Sequence, residues 1–257
     1  MLPDRIKLET QPDVIHQALI DWHCHILPGL DDGAKTLDES LAIARELAAA
    51  GFKTVYCTPH CMKGVFETTP AQVREGVAVL QTELDRADIS LRLEPGMEYY
   101  LDEFFSEELD RLLPLGDTKL VLLETPPLVT PRQVKELVFQ VFRRGFIPLI
   151  AHPERYDYIS NRITGGNKGL FGRLKNRLSG RQTAADSAPD LLHELRAMDC
   201  RFQGNLGSFA GLYGPEVKKT SELLFAADEY DCFGSDAHKS GSLGKTLAQG
   251  LAKVKEQ

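Results

Sequence analysis

The sequence has no long apolar run, and this absence excludes a membrane-embedded protein. No stretch of the 257 residues is apolar over the roughly 20 positions that a membrane-spanning helix needs. The first thirteen residues mix acidic and basic side chains around no apolar core, so we expect neither a signal peptide nor an anchor there. These features predict a protein of the cytoplasm without a transmembrane segment.

Cysteine is scarce, and its positions fit neither a disulfide framework nor a thiol enzyme. The five cysteines are Cys24, Cys57, Cys61, Cys200 and Cys232. An odd count without a C-x-x-C pair favours reduced thiols. A cysteine-dependent phosphatase would carry an arginine six positions after its nucleophile. The residues at those positions are Leu30, Lys63, Glu67, Leu206 and His238, so we expect the cysteines to be packing residues.

An excess of positive charge is also lacking. The formal net charge is −7, which argues against general nucleic-acid binding. Hydrophobic residues at 42% and charged residues at 26% are typical of a globular protein. A chain of this length suits one α/β barrel, and we expect a single domain over residues 1–257.

Short apolar runs alternate with longer helical patterns along the chain, which is typical of a parallel sheet. The predicted helices begin at Thr36, Thr69-Pro70, Thr130-Pro131 and about Pro215. The seven predicted strands are 18–21, 54–57, 91–93, 120–123, 147–151, 201–204 and 231–234. Similar His-x-His and Asp-x-His pairs follow the first and the last of them, which suggests a sheet that closes on itself.

One segment, Gly165–Pro189, interrupts this alternation. It is rich in Gly, Ser and Asn, and it holds five basic residues against the single acid Asp186. We interpret it as a basic surface insertion. The alternative is a short basic amphipathic helix, with apolar residues at Phe171, Leu174 and Leu178, that meets a membrane surface or an acidic partner.

Residues of the types that bind metal ions, histidine, aspartate and glutamate, lie near the ends of the predicted strands. Residues two apart on a strand point to the same side, so His23 and His25 would lie next to each other. The candidate ligands are His23, His25, Asp32, His60, Glu98, Glu124, His152, Asp236 and His238. The carboxyl ends of the strands in an α/β barrel carry its active site, so we expect these side chains to converge.

Nine ligands exceed the three that one catalytic zinc ion needs, so the set implies two or three ions. All donors are nitrogen or oxygen, which suits Mn²⁺, Fe²⁺ or Zn²⁺. Three divalent ions would bring a charge of +6 against −4 from the four carboxylates. A centre with this net positive charge would attract a phosphate dianion.

The motifs that hold these residues resemble those of a known superfamily. They are His23-Cys24-His25, Thr58-Pro59-His60, Gly96-Met97-Glu98 and Ser235-Asp236-Ala237-His238. In these motifs the chain is similar to the polymerase and histidinol phosphatase (PHP) superfamily of metal-dependent phosphoesterases. Further stretches resemble its branch of bacterial manganese-dependent tyrosine phosphatases from capsule and exopolysaccharide gene clusters. These stretches are Leu30–Gly33, Lys63–Thr68 and Ile150–Asp157.

This resemblance implies a distorted seven-stranded TIM-like (β/α) barrel with three divalent metal ions, Mn²⁺ first and Fe²⁺ or Zn²⁺ as alternatives. One ion would be held by His23, His25, Glu98 and Asp236, and the second by Glu98, Glu124 and His152. The third would be held by Asp32, His60 and His238. Arg155 matches the arginine that contacts phosphate in the family, and we assign catalytic roles to Arg155, His60 and Asp236.

The function implied is hydrolysis of phosphotyrosine on a protein, by an activated water and without a covalent phosphoenzyme. The implied partner is a bacterial tyrosine autokinase that controls polysaccharide export. Cys61-Met62 and the lysines Lys239 and Lys245 depart from the basic residues and arginine of that branch. Alternatives are a small-molecule phosphatase such as histidinol phosphatase, a nuclease of the same superfamily, and a catalytically inactive kinase-binding scaffold.

Overall fold

The computed structural model describes residues 19–126, 129–156, 159 and 191–255. Within these residues the chain forms ten strands and seven α-helices. The strands are β1 (Leu19–Cys24), β2 (Phe52–Cys57), β3 (His60–Met62), β4 (Phe66–Glu67), β5 (Arg92–Pro95), β6 (Glu98–Tyr100), β7 (Leu120–Glu124), β8 (Ile147–Ala151), β9 (Arg201–Asn205) and β10 (Cys232–Gly234). The helices are α1 (Leu37–Ala49), α2 (Pro70–Arg86), α3 (Pro131–Arg143), α4 (Leu191–Ala197), α5 (Leu206–Phe209), α6 (Pro215–Ala226) and α7 (Leu243–Val254).

The strands pair in two sheets, and nearly every pair is parallel. The first sheet has the order β1-β2-β5, and the second has the order β10-β9-β8-β7-β6-β3-β4. Only the short hairpin of β3 and β4 is antiparallel. The predicted α/β fold with a parallel sheet is therefore confirmed. None of the described helices is long and apolar enough to cross a membrane.

The two sheets are joined at both sides. On one side β2 runs on into β3, and β5 into β6, with only two residues between the strands of each pair. On the other side Cys24 forms a parallel bridge with Ala237, and the Asp236 amide donates to the His23 carbonyl at 2.7 Å. The first and last strands are therefore neighbours, as predicted. The described strands form two sheets rather than one continuous ladder, so the closed barrel of seven strands stays a prediction.

Side chains on both faces of the central strands are buried. All of Leu120, Val121, Leu122 and Leu123 in β7 are 2% exposed or less, because Val121 and Leu123 belong to one apolar cluster and Leu120 and Leu122 to a second one on the other face. Strands buried on both faces read as continuous apolar runs, which is why β7 was predicted from the sequence within one residue. The predicted insertion 165–189 lies outside the described residues.

Threonine caps start three of the helices where the sequence predicts them. The Thr69 hydroxyl accepts from the Gln72 amide at 3.3 Å, and the Gln72 side chain accepts from the Thr69 amide at 2.9 Å. Thr130 and Gln133 repeat this capping box at α3. At α1 the box is incomplete, because Glu39 accepts from the Lys35 amide at 2.6 Å instead of from Thr36.

Replacing Thr69 with alanine should lower the free energy of unfolding by about 1 kcal/mol, because the α2 amide loses its hydroxyl acceptor. Thr82→Ala, in the interior of the same helix, is the matched control. The Thr82 hydroxyl bonds only to the Ala78 carbonyl, and alanine is the better helix former. Urea denaturation of both variants measures the difference, and equal midpoints would show that the cap contributes nothing.

Candidate metal centre

The candidate ligands lie at or near the ends of neighbouring strands. His23 lies in β1 and His25 directly after it, while His60 and Glu98 open β3 and β6. Glu124 is the last residue of β7, and His152 follows β8. Asp236 and His238 come after β10, and Asp32 lies in the loop that follows β1. All nine candidates therefore lie at the same edge of the parallel sheets.

The buried carboxylate of Glu98 is the central group of this cluster. Its Oε2 lies 3.0 Å from His23 Nε2 and 3.2 Å from both His25 Nε2 and His60 Nδ1. Its Oε1 lies 3.2 Å from His152 Nε2. Four imidazoles from three different segments therefore surround one glutamate.

The donor atoms fall into four overlapping groups, and within each group they lie within 4.8 Å of one another. The groups are His25, Asp32, His60 and His238; His23, His25 and Asp236; His23, Glu98 and His152; and His60, Glu98 and Glu124. Together they contain all nine residues predicted from the sequence. The overlap places His25 with Asp32, His60 and His238, a grouping that the resemblance did not imply.

The donor set fits bound cations. His23 Nε2 and His25 Nε2 are 2.9 Å apart, close to the separation of about 3 Å between two ligands held at about 2.1 Å by one ion. The Nδ1 atom of each ring faces its own acceptor. His23 Nδ1 lies 2.9 Å from Gln203 Oε1, and His25 Nδ1 lies 2.6 Å from Asp31 Oδ2. A proton on that outer nitrogen leaves the Nε2 lone pair directed into the cluster.

The electrostatics of the cluster also indicate a need for positive charge. Burial and the charge of Glu98 raise the pKa of Glu124 to about 8. Burial lowers the pKa of His23, but the charges of Glu98 and Asp236 outweigh burial and raise it to about 9. Carboxylates crowded in a buried site are stabilised by divalent cations, which invert these shifts.

His152 differs from the other imidazoles. Burial and the charge of Arg155 lower its pKa to about 4, so its ring is neutral and able to bind a metal ion. Its Nδ1 is buried without a hydrogen-bond partner in the part of the chain that the structure describes. No acceptor among the described residues therefore holds a proton on Nδ1, whereas Nε2 faces Glu98 Oε1.

The residues that orient the candidate ligands were not predicted from the sequence. Asp31 accepts from the His60 amide at 3.0 Å and from the Gly33 amide at 2.9 Å, besides its contact with His25. Burial raises the pKa of Asp31, but the hydrogen bond and charge of His25 outweigh this and lower it to about 2. The signal for Asp31 was its place beside Asp32 in the Leu30–Gly33 stretch. Gln203 gives no such signal, because it is 180 positions from His23.

Asp21 is a second residue that was not predicted. It connects the Ser235–His238 motif to strand β1, which carries His23. Its Oδ1 accepts from the Ser235 amide at 2.7 Å, and its Oδ2 accepts from the Ser235 hydroxyl at 2.5 Å. Asp236 follows with a φ of 52°, in the left-handed region that few non-glycine residues adopt. The anchored serine thus supports the backbone that turns Asp236 toward the histidines.

The two oxygens of Asp236 face different groups. Oδ1 lies 3.4 Å from His23 Nε2 and 3.3 Å from His25 Nε2. Oδ2 accepts from Arg155 Nη1 at 3.0 Å and from Asn205 Nδ2 at 2.8 Å. The Arg155 guanidinium also lies over the ring of Tyr213, 4.5 Å from its centroid. Arg155 is therefore held at the edge of the cluster from two sides.

Residues 19–168 match the protein family described as "Capsular polysaccharide synthesis, CpsB/CapC". The chain belongs to the CpsB/CapC family. It is 35% identical over 222 residues to "Tyrosine-protein phosphatase YwqE" of Bacillus subtilis, covering 86% of this chain and 77% of that protein. It is 32% identical over 145 residues to "Tyrosine-protein phosphatase CpsB" of Streptococcus pneumoniae, covering 56% of this chain and 60% of that protein.

A solved structure supports the same membership. It belongs to work described as "Crystal structures of YwqE from Bacillus subtilis and CpsB from Streptococcus pneumoniae, unique metal-dependent tyrosine phosphatases". The TM-score is 0.74 at 32% sequence identity, with 93% of this chain and 87% of that chain covered. The resemblance noted from the motifs is thus confirmed as membership of the CpsB/CapC family.

Proposed function

We propose that this CpsB/CapC chain is a metal-dependent protein-tyrosine phosphatase. The observation that carries the proposal is the convergence of five histidines and four carboxylates around Glu98, with an arginine at the edge. Relatives named as tyrosine phosphatases, one described as metal-dependent, support the same activity. The implied seven-stranded barrel is the arrangement that would bring these residues together.

We further propose three divalent ions, with Mn²⁺ as the first candidate and Fe²⁺ or Zn²⁺ as alternatives. The proposed ligand sets are His23, His25, Glu98 and Asp236; Glu98, Glu124 and His152; and Asp32, His60 and His238. When bound, such ions would lower the pKa of water to near neutral and offset the charge of a phosphate. Glu98 would contribute to two sets, which agrees with its contacts to four histidines.

The chain's own residues would position the phosphomonoester. Arg155 would donate to the phosphate oxygens, since its guanidinium is one-third exposed at the edge of the cluster. Asp236 would hold that guanidinium through Oδ2 while Oδ1 serves the metal centre. His60 would join the two ends of the cluster, because it lies near both Asp32 and Glu98.

The cysteines offer no nucleophile that could replace water. All five are buried, and burial raises the pKa of every one of their thiols, to about 12 for Cys61 and Cys200. Thiols in such surroundings stay protonated and unreactive at neutral pH. We therefore infer direct attack by water on phosphorus. The tyrosyl leaving group, with a pKa of about 10, needs less acid assistance than an alkyl alcohol.

The proposed biological substrate is a phosphotyrosine protein, namely a bacterial tyrosine autokinase in capsule polysaccharide synthesis, in the cytoplasm. The family description and the names of the relatives support the capsule context. The net charge of −7 disfavours a nucleic-acid substrate.

Metal reconstitution tests this proposal. The protein is stripped with a chelator, and Mn²⁺, Fe²⁺ or Zn²⁺ is added back before phosphate release is measured. We expect release from a phosphotyrosine peptide only when metal is present, because the phosphate site depends on the cations. A phosphoserine peptide, histidinol phosphate and single-stranded DNA are the comparison substrates. Faster phosphate release from histidinol phosphate than from the phosphotyrosine peptide would show that the substrate is a small molecule. Full activity after chelation would contradict the metal mechanism.

A further inference from the structure

A cavity of about 460 Å³ lies between helix α3 and the carboxyl ends of strands β3, β6 and β7. Three of its lining residues, Met62, Tyr100 and Pro126, each come two positions after a candidate ligand. Those ligands are His60, Glu98 and Glu124. His60 and Met62 bound strand β3, and Glu98 and Tyr100 bound strand β6, so within each pair both side chains point to the same side. The cavity therefore lies one strand repeat, about 7 Å, further along these strands than the candidate metal ligands.

Tyr100 forms the boundary between cavity and centre. It pairs with Glu124 in the ladder of β6 and β7, and the next amide, Leu101, donates to the Glu124 carbonyl at 2.9 Å. A substrate that reaches the metal centre from this side passes Tyr100.

The remaining cavity wall combines apolar and acidic side chains. Leu101, Val129 and Leu137 add to the apolar surface of Met62. Asp102, Glu103 and Glu136 supply carboxylates, and the lining residues that the structure describes include no lysine or arginine. An apolar wall that ends in carboxylates is complementary to a long side chain with an apolar stem and a cationic end.

The nearby cations leave two of these three acids, Asp102 and Glu103, without a counter-charge among the described residues. Lys63 pairs with Glu107 at 2.6 Å, and Arg132 pairs with Glu136 at 2.8 Å. Among the described residues Asp102 and Glu103 have no ion-pair partner. Asp102 uses Oδ1 to accept from the Phe104 amide at 2.9 Å, which leaves Oδ2 available. Two negative charges therefore remain for a ligand.

We propose that this cavity binds a lysine or arginine side chain of the protein substrate, located within three residues of the phosphotyrosine. The stem would lie along Met62 and Leu137, and the cationic group would meet Asp102 and Glu103. The proposal rests on the proposed tyrosine phosphatase function. An apolar side chain would leave both carboxylates unpaired, and an acidic one would be repelled by them.

A positional scan tests the proposal. Alanine-rich phosphotyrosine peptides carry one lysine at each position from three residues before to three residues after the phosphotyrosine. The kcat/KM of each is divided by that of the peptide without lysine. We expect one or two adjacent positions to give a ratio of about two to five, the size of a partly exposed charge interaction. The ratio should fall as NaCl is raised from 0.05 to 0.5 M.

The double variant Asp102→Asn/Glu103→Gln identifies the site. Because each protein is compared with its own lysine-free peptide, a general loss of activity cancels. We expect the ratio to fall to about one in this variant and to stay at about two to five in Glu222→Gln, an exposed glutamate on α6 that serves as the matched control. Equal ratios at all positions in the wild type, or an unchanged preference in the double variant, would overturn the proposal.

Fluorescence anisotropy of the same labelled peptides, on protein without added metal, tests the cavity apart from turnover. Tighter binding of the lysine peptide that the double variant loses would support the cavity even if no peptide were hydrolysed. In that case the proposed function fails and the cavity stands. Equal binding of lysine and alanine peptides would overturn the cavity whatever the turnover shows.

Discussion

Glu98→Gln is expected to lower turnover of a phosphotyrosine peptide by more than about 100-fold. Loss of a hydrogen bond to a metal ligand commonly costs about 10- to 100-fold in metal affinity or activity, and a shared ligand should cost more. Glutamine keeps the shape of the side chain but removes the negative charge that contacts His23, His25, His60 and His152. Steady-state rates and the metal content of the purified variant measure the effect together.

The metal content distinguishes the possible causes of the loss. We expect Glu98→Gln to retain fewer ions per chain than the wild type, because the glutamate would serve two ions. Glu222→Gln again supplies the matched control, and it should retain both full activity and full metal content. A Glu98→Gln protein that carried the wild-type number of ions and turned over at the wild-type rate would remove this glutamate from the mechanism.

The positions of the candidate ligands were predictable because these residues lie at or just after the ends of strands. His23 and His25 are two apart at the end of β1, where the two-residue repeat of a strand applies. Asp236 and His238 have the same spacing but follow β10, and Asp236 has a φ of 52°. The orienting residues leave no comparable pattern. Gln203 reaches His23 across 180 positions of sequence, and Asp21 reaches Ser235 across 214. Only the pairing of β1 with the segment after β10 brings them together.

The fold was predictable where the elements were long and apolar. β7, β8 and the helices with threonine caps were predicted close to their observed bounds. The elements missed were β3, β4, β6, α4, α5 and α7. The three missed strands are two or three residues long, too short to show alternation. β3 and β6 exist because β2 and β5 continue past Thr58-Pro59 and Gly96-Met97 into a second sheet.

Close packing requires glycine at position 33, and the neighbouring residues in the sequence do not reveal this requirement. A Cβ built on Gly33 would lie 2.1 Å from the His25 carbonyl oxygen. The loop that carries Asp32 therefore passes directly against the His-x-His segment, and only glycine allows this approach. The sequence shows the glycine beside two aspartates, but the contact partner appears only in the fold.

Arg155→Met is expected to lower kcat/KM for a phosphotyrosine peptide by about 10²- to 10³-fold, the usual loss when a donor to a developing negative charge is removed. The guanidinium lies next to the cluster, held by Asp236 Oδ2 and by the ring of Tyr213. Methionine fills similar volume without charge or donors. Arg155→Lys keeps the charge but loses the planar fork and the stacking, so we expect a loss of about tenfold.

The alternative for Arg155 is that it only holds Asp236 in place, and metal content separates the two roles. If Arg155 contacts phosphate, both variants should bind the wild-type number of ions, because Asp236 faces the histidines through Oδ1 and keeps the Asn205 donor on Oδ2. Inhibition by inorganic phosphate should weaken in the same order as kcat/KM. A variant that loses ions in proportion to its activity, with unchanged phosphate inhibition per loaded protein, would make Arg155 a positioning residue for Asp236.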